Sequence, residues 1–275
     1  MKMTEILKAV LFGIVQGITE WLPISSTGHM ILLNEFVILD VSPEFWEAFL
    51  VMIQFGSILA VVLLFWNKIF PFDLKGGPVI KKETFSLWFK IAVACIPAIL
   101  VGMPLDDVFN ELFYNGPCVA IALAVFGVLF ILVENRNRNK QPRITDLSQI
   151  TYQMALVIGI WQLIAAIFPG TSRSGATIIG ALLLGISRTV AAEFTFFLAI
   201  PVMFGASLLK LLKLGLAFSS MEWMILLVGM TVAFGVSVIV IRFLMGYIKK
   251  HDFKVFGWYR IVLGIVVLAY FGFFA

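Results

Sequence analysis

Charged residues are scarce in this chain. Asp, Glu, Lys and Arg make up 13% of its 275 residues, whereas 61% are hydrophobic. Soluble domains have about a quarter charged residues and about half apolar ones, so the composition excludes an ordinary soluble fold. The mean hydropathy of +1.04 predicts an integral membrane protein instead.

Cysteine is nearly absent as well. Cys95 and Cys118 lie in or next to apolar segments, and neither belongs to a C-x-x-C pair or a zinc spacing. We therefore expect both thiols to act as small apolar side chains. The start MKMTEILKAVLFGIVQGI imitates a signal peptide, but Glu5 interrupts its charged region and no clean cleavage site follows. We expect this segment to be retained.

Long apolar runs are abundant. Six approach the ~20 residues that a membrane-spanning helix needs: 45–66, 85–104, 117–133, 190–212, 222–244 and 256–275. Four shorter runs form two pairs, 5–39 and 150–186, which are interrupted by LPISSTGH and FPGTSRSG. Broken backbone at membrane depth is tolerated only inside protein or beside a wet cavity. Each pair therefore predicts a re-entrant helix hairpin.

The two interrupted pairs resemble each other. A shift of 146 positions sets GIVQGITEWLPISS on GIWQLIAAIFPGTS. The polar or special residues that coincide are Gln16 with Gln162, Pro23 with Pro169, Ser26 with Ser172 and Glu47 with Glu193, besides Gly13 with Gly159. Shared hydropathy does not explain matched Gln, Pro and Ser, so the sequence predicts an internal repeat. Its halves cover about 1–134 and 150–275 of a single membrane domain, 1–275.

Loop charge predicts the orientation. The basic residues cluster in three loops, at Lys68, Lys75, Lys81 and Lys82, at Arg136, Arg138, Lys140 and Arg143, and at Lys249, Lys250 and Lys254. The segment 105–116 instead carries Asp106, Asp107 and Glu111. The positive-inside rule places the basic loops in the cytoplasm, although Lys210 and Lys213 fall on the outer side.

Each half contains three spans. Because three crossings leave the chain on the opposite side of the membrane, the second half starts from the other side and is inverted relative to the first. We expect an all-α integral membrane protein with an inverted-topology repeat, six transmembrane helices and two re-entrant helix hairpins whose tips meet near the midplane. The net charge of +4 and the loop positions of the basic residues do not indicate a nucleic-acid partner.

The first tip carries an acid, hydroxyls and an imidazole. Gln16 and Glu20 are four residues apart and share a helical face. Pro23 breaks the helix, and Ser25 or Ser26 is a suitable N-cap for the next one. Ser26 and His29 then become surface neighbours, the composition of an activated nucleophile, while Glu20 is suited to a divalent cation.

The second tip, PGTSRSGAT, carries anion-binding groups. Ser172, Ser174 and Thr177 supply hydroxyls, Arg173 supplies a guanidinium, and a helix start supplies free N–H groups. Such Ser and Thr residues often serve packing alone, His29 could be a satisfied core histidine, and Glu20 could simply neutralise Arg173. An ionisable group at mid-membrane costs ~2.5–3.5 kcal/mol on insertion scales. Three such groups together, Glu20, His29 and Arg173, therefore favour a functional role over a purely structural one.

These segments resemble the bacterial undecaprenyl-pyrophosphate phosphatase family, whose members are linked to bacitracin resistance. QGITEWLPISSTGH matches its Glu/Gln-x-x-x-Glu and Pro-x-Ser-Ser-x-Gly-His signature, and PGTSRSGAT matches Pro-Gly-x-Ser-Arg-Ser-x-x-Thr. FFLAIPVMFGA also fits, so the resemblance covers nearly the whole chain. At the first Glu/Gln position this chain has Gln16, which leaves Glu20 as the main carboxylate.

The resemblance implies removal of the terminal phosphate of undecaprenyl pyrophosphate, which recycles the lipid carrier of cell-wall synthesis. It implies a divalent cation, Mg²⁺ or Ca²⁺, and a multi-pass protein of the bacterial cytoplasmic membrane whose site opens to the outer face. The expected partners are the polyprenyl pyrophosphate lipid, the bilayer and, as an option, a second copy of the chain.

The residue assignments follow from both arguments. Catalytic candidates are Glu20, Ser26, His29 and Arg173; phosphate-binding candidates are Ser25, Thr27, Ser172, Ser174 and Thr177; metal candidates are Glu20 and Gln16. Ser26 is the expected nucleophile, with His29 or Glu20 as its proton partner. Attack by His29 or by water is equally compatible with the sequence. A transporter of the lipid is the alternative class, and a non-catalytic scaffold is a third.

Overall fold

Six long apolar helices dominate the protein, whose computed structural model describes residues 2–73, 79–214 and 218–273. The helices that are long and apolar enough to cross a membrane are Pro43–Leu64, Lys82–Gly102, Gly116–Asn137, Arg188–Lys213, Ser220–Tyr247 and Lys254–Phe273. These correspond to the six predicted spans. The fold class, an all-α multi-pass membrane protein, is therefore confirmed.

The helices follow the chain in this order: α1 Lys2–Thr19, α2 Ser26–Phe36, α3 Pro43–Leu64, α4 Trp66–Ile69, α5 Lys82–Pro97, α6 Asp106–Phe113, α7 Gly116–Asn137, α8 Tyr152–Ile167, α9 Arg173–Leu183, α10 Arg188–Leu214, α11 Ser220–Tyr247 and α12 Lys254–Phe273. A π-helical turn, Ala98–Gly102, extends α5. Two short strands, β1 Phe72–Asp73 and β2 Val79–Ile80, pair antiparallel before α5. Lys75, assigned above to a cytoplasmic loop, lies outside the described residues.

Local sequence explains where the helices begin. Ser42 caps α3 through the N–H of Phe45, with Pro43 at the first helical position. Ser219 and Glu222 form a capping box at the start of α11. The acidic segment 105–116, which lies outside the long apolar runs, contains the short helix α6.

Two helix pairs are broken where the prolines predicted. In the α1–α2 pair the break covers residues 20–25, and in the α8–α9 pair it covers 168–172. Proline lacks an N–H and disfavours helical backbone in the residue before it, so Pro23 and Pro169 stop each helix. The helix following the second break, α9, is enclosed by protein, with all residues from Ser174 to Leu182 buried. Re-entry of each pair from one membrane face stays a prediction.

The halves of the chain interlock. Helix α1 packs against α11 of the second half, and the corresponding helix α8 packs against α5 of the first. Gly13 and Gly159, which coincide in the repeat, make both approaches close: an added Cβ would lie 2.6 Å from Gly229 O at Gly13, and would collide with Ala94 O at Gly159. A two-fold relation between the halves would produce this exchange, while the repeat boundaries stay a prediction.

One pairing in the repeat was wrong. Ser25 and Ser172, not Ser26 and Ser172, are equivalent: both have positive φ, 73° and 69°. Both also cap the following helix, by accepting from the N–H of Gly28 and of Gly175 respectively. The second break has one more residue between its proline and its serine, so the register changes from 146 to 147 inside the break.

Ion pairs tie α3 and α10 together near both ends. Lys68 Nζ, just after α3, lies 2.8 Å from Glu193 near the start of α10. Lys210, near the end of α10, pairs with Glu47 near the start of α3. The two glutamates are the pair matched in the repeat. Lys210, which opposed the predicted orientation, is thus partly neutralised by Glu47.

Candidate active site

The two breaks meet through an ion pair. Arg173 Nη2, at the start of α9, lies 2.8 Å from Glu20 Oε1 in the first break. Ser174 Oγ also donates to the Glu20 backbone carbonyl, at 3.2 Å. Both charged side chains are largely enclosed, 16% exposed for Arg173 and 7% for Glu20. The predicted convergence of the two tips is therefore present.

The Glu20 carboxylate accepts further hydrogen bonds from the helices on either side of its own break. Its Oε2 accepts from Ser26 Oγ at 2.9 Å and from Gln16 Nε2 at 3.0 Å. With Arg173 on the other oxygen, the carboxylate has three side-chain donors. These donors hold the carboxylate in one orientation.

His29 faces a different set of partners. Its Nδ1 lies 2.7 Å from the Ser25 carbonyl oxygen, and its Nε2 lies 2.7 Å from Tyr259 Oη. Of the two proton partners expected for Ser26, His29 or Glu20, Glu20 is the one that accepts from its hydroxyl. Spacing alone makes two side chains neighbours on a helix, but stronger partners from outside the helix decided both orientations.

The hydroxyls of the second break divide into two groups. Ser172 Oγ accepts from the Gly175 N–H and lies 3.1 Å from Ser174 Oγ, beside the ion pair. Thr177 is wholly buried, and its hydroxyl bonds to the Arg173 carbonyl at 2.9 Å and to Thr195 Oγ1 at 2.9 Å. Thr177 therefore links α9 to Thr195 of α10, and its contact with phosphate stays a prediction.

The remaining phosphate candidates lie at the start of α2. Ser25 is fully buried and its hydroxyl is engaged with the Gly28 N–H at 3.3 Å, whereas Thr27 is partly exposed. At the start of α9, Arg173 Nη1 is buried and finds no hydrogen-bond partner among the described residues. A buried guanidinium N–H without a partner is suited to an anionic ligand.

Sequence reasoning missed Arg260, a fully buried residue of α12. Its guanidinium donates to the carbonyls of Thr171 at 2.7 Å, Gly170 at 3.0 Å and Pro23 at 3.2 Å. It therefore joins the two breaks through their backbones. The signal was available, because Arg260 is the only charged residue of the run 256–275 and a charge inside a span indicates a specific role.

The donor set suits a cation shared with substrate. Within the described parts of the chain, no three His, Cys, Asp or Glu residues are close enough to form a metal site of their own. Glu20 offers one carboxylate and Gln16 an amide. Mg²⁺ is commonly held by one or two carboxylates together with substrate phosphates, so this pair fits such a cation once a phosphate is bound.

The chain is also similar to known proteins along most of its length. A family model described as "Bacitracin resistance protein BacA" matches residues 9–266. The chain belongs to the BacA family. Among its relatives in that family, a protein of Desulfitobacterium hafniense named "Undecaprenyl-diphosphatase" is 67% identical over 271 residues, 98% of each chain. A relative from Enterococcus faecalis with the same name is 60% identical over 266 residues, 96% of each chain.

Proposed function

We propose that the chain hydrolyses undecaprenyl pyrophosphate to undecaprenyl phosphate and inorganic phosphate. The observation that carries this proposal is the cluster at Glu20, where a hydroxyl from one break and a guanidinium from the other converge on one carboxylate. Family membership and the relatives' names support the same activity. Recycling of the lipid carrier for cell-wall synthesis, and bacitracin resistance, follow from that activity.

The second break is the phosphate-binding side of this site. Arg173 has one N–H on Glu20 and a buried Nη1 without a partner, and the start of α9 adds backbone N–H groups. Ser172 and Ser174 lie beside it, and Thr27 adds a hydroxyl from α2. These donors hold the pyrophosphate and stabilise the charge that develops on the transferred phosphoryl oxygens.

Ser26 is the nucleophile that the geometry supports best. Its Oγ donates to Glu20 Oε2, so Glu20 takes the proton while Oγ bonds to the terminal phosphorus and the bond from that phosphorus to the bridging oxygen breaks. The lipid leaves as a monophosphate. Water then cleaves the phosphoserine, releasing phosphate and restoring Ser26. Attack by His29 or directly by water remains the competing variant.

A divalent cation, Mg²⁺ or Ca²⁺, completes the proposed site. Glu20 and Gln16 would hold it together with substrate oxygens, and it would neutralise phosphate charge. Gln16 holds Glu20 through its amide N–H at 3.0 Å. The protein is a multi-pass membrane protein. The proposal places it in the bacterial cytoplasmic membrane with the site open to the outer face, as the resemblance to the family implies, and the loop charges support the orientation of its helices.

The deciding experiment is phosphate release from a C55 or C15 prenyl pyrophosphate by the purified protein in detergent. After EDTA treatment, activity should return with Mg²⁺ or Ca²⁺. Arg173→Ala should lower turnover about 100-fold or more. Arg242→Ala is the matched control, because Arg242 is an exposed arginine on α11, and it should leave turnover unchanged.

A lipid carrier is the alternative that this experiment separates. Two broken helix pairs meeting through polar side chains also occur in transporters. Protein that binds the lipid but releases no phosphate with any cation would refute the phosphatase and favour the carrier. Full cellular function in both Glu20→Gln and Arg173→Ala variants would instead favour a scaffold.

A further inference from the structure

Tyr259 reaches the site from α12, a helix outside both breaks. Its ring lies nearly parallel to the His29 imidazole, with 5° between the planes and 5.6 Å between the centroids. Its Oη lies 2.7 Å from His29 Nε2. The next residue, Arg260, is bonded to carbonyls of both breaks. This turn of α12 is therefore held in a fixed position beside the imidazole.

The partner of the other nitrogen defines the proton positions on His29. Nδ1 lies 2.7 Å from the backbone carbonyl oxygen of Ser25. A carbonyl oxygen only accepts hydrogen bonds, so Nδ1 must carry the proton. In the neutral imidazole Nε2 is then the basic nitrogen, and Tyr259 is the group that donates to it.

Ser25 can present its carbonyl in this way because of its backbone. Its φ of 73° is unusual for a residue other than glycine. Its hydroxyl is occupied by the Gly28 N–H at 3.3 Å, which fixes the residue at the start of α2. The imidazole is therefore held at both nitrogens by groups that are themselves anchored.

We propose that Tyr259 is a positioning residue of the active site, which donates to His29 Nε2 and so holds the imidazole with its proton on Nδ1 and its ring in a fixed orientation. Tyr259 and the Ser25 carbonyl together keep the ring from rotating toward Ser26, which leaves Glu20 as the proton acceptor of Ser26. The kinetic consequence rests on the proposed phosphatase function. The tautomer and the hydrogen bond do not depend on it.

Nitrogen NMR tests the contact directly. The chain has two histidines, and His251 is an exposed residue whose ring stacks on Tyr247 away from the breaks. In a His251→Gln background, ¹⁵N-labelled histidine gives resonances of His29 alone. The expected spectrum has a protonated Nδ1 and an unprotonated Nε2, and Tyr259→Phe should move the Nε2 resonance toward that of an unbonded nitrogen. A proton on Nε2 in place of Nδ1, or an Nε2 resonance that Tyr259→Phe leaves unchanged, would overturn the proposal.

Steady-state kinetics test the consequence. Tyr259→Phe keeps the ring and removes only the hydroxyl, so kcat should fall about tenfold while KM stays within about twofold. Tyr270→Phe is the matched control. It also removes a tyrosine hydroxyl from α12, but that hydroxyl lies 3.3 Å from Glu35 and not beside His29. Wild-type kcat in Tyr259→Phe would refute the positioning role. If the wild-type protein releases no phosphate, the phosphatase function fails, and the nitrogen resonances alone decide on Tyr259.

Discussion

At the scale of single residues, Glu20 contacts more polar groups than the spacing of the sequence predicts. Its carboxylate accepts from Arg173, Ser26 and Gln16, and its backbone carbonyl accepts from Ser174. A charge in an enclosed, apolar surrounding persists only when such partners compensate the lost water. In the proposed reaction the same partners supply the nucleophile and the phosphate contact, so the fold and the proposed chemistry use one set of contacts.

The identity of the attacking group is open to a direct test. Wild-type protein mixed with substrate labelled in its terminal phosphate should, after rapid acid quenching, carry label on Ser26. Label that survives base but not acid would instead identify His29, and no label on the protein under either condition would indicate water. Ser237→Ala is the control for Ser26→Ala, because Ser237 is a buried serine of α11. Only Ser26→Ala should abolish labelling.

Arg260 should be essential for stability. Arg260→Met would leave the carbonyls of Pro23, Gly170 and Thr171 buried without their donor, at about 1–3 kcal/mol each. We expect a loss of several degrees or more in Tm, measured by thermal unfolding in detergent. Arg242→Met, which removes an exposed arginine, should change Tm little. Equal Tm values for both variants would contradict the role assigned to Arg260.

The residue-level predictions succeeded where one physical rule dominated and failed where several competed. Pro23 and Pro169 located both breaks because proline has no compatible place in mid-helix. Ser25 and Ser26 are equally good caps, so only the three-dimensional structure distinguishes them. The partner of His29 lies 230 positions away in the chain, a contact that no local spacing reveals.

At the scale of the helices, close approaches depend on glycine. Gly13 and Gly159 bring α1 against α11 and α8 against α5, where even a methyl group would meet backbone oxygen. Because lipid competes equally for apolar side chains, membrane helices associate through such close backbone packing. The six spans were predictable from length and apolarity, whereas α6 was not, since it is short and lies in an acidic segment.

Gly159→Ala should destabilise the α5–α8 contact. The added Cβ would collide with the Ala94 carbonyl, so the helices must separate, at a cost of about 1–3 kcal/mol. Gly235→Ala on α11 is the matched control, because nothing lies within 4 Å of its added Cβ. In thermal unfolding, Gly159→Ala should lower the Tm and Gly235→Ala should leave it unchanged. A stable Gly159→Ala protein would show that this helix contact tolerates separation.

At the scale of the whole molecule, the arrangement of charge predicts how the protein sits in the membrane. Lys140 belongs to a basic loop and Glu111 to the acidic segment between α5 and α7, and both are exposed. The sequence predicted this orientation from loop composition alone. Depth and direction of insertion depend on the bilayer and its potential, which act on the folded protein from outside.

Labelling of introduced cysteines tests the orientation. In a background with Cys95→Ala and Cys118→Ala, an impermeant maleimide added to intact cells should label Glu111→Cys. Lys140→Cys should react only after the membrane is opened. The reverse pattern would invert the predicted topology and place the opening of the site on the cytoplasmic side.

The contact between Arg260 and the first break also has a consequence for synthesis. Ribosomes make Pro23 first, and Arg260 follows 237 positions later. At about 5–20 residues per second the interval is on the order of ten to fifty seconds. Throughout it, the first break is already in the nascent chain without the guanidinium that later satisfies it. The two breaks can therefore be joined by Arg260 only after the last membrane helix has been delivered, so the final arrangement of the site is a late event in the life of each new chain.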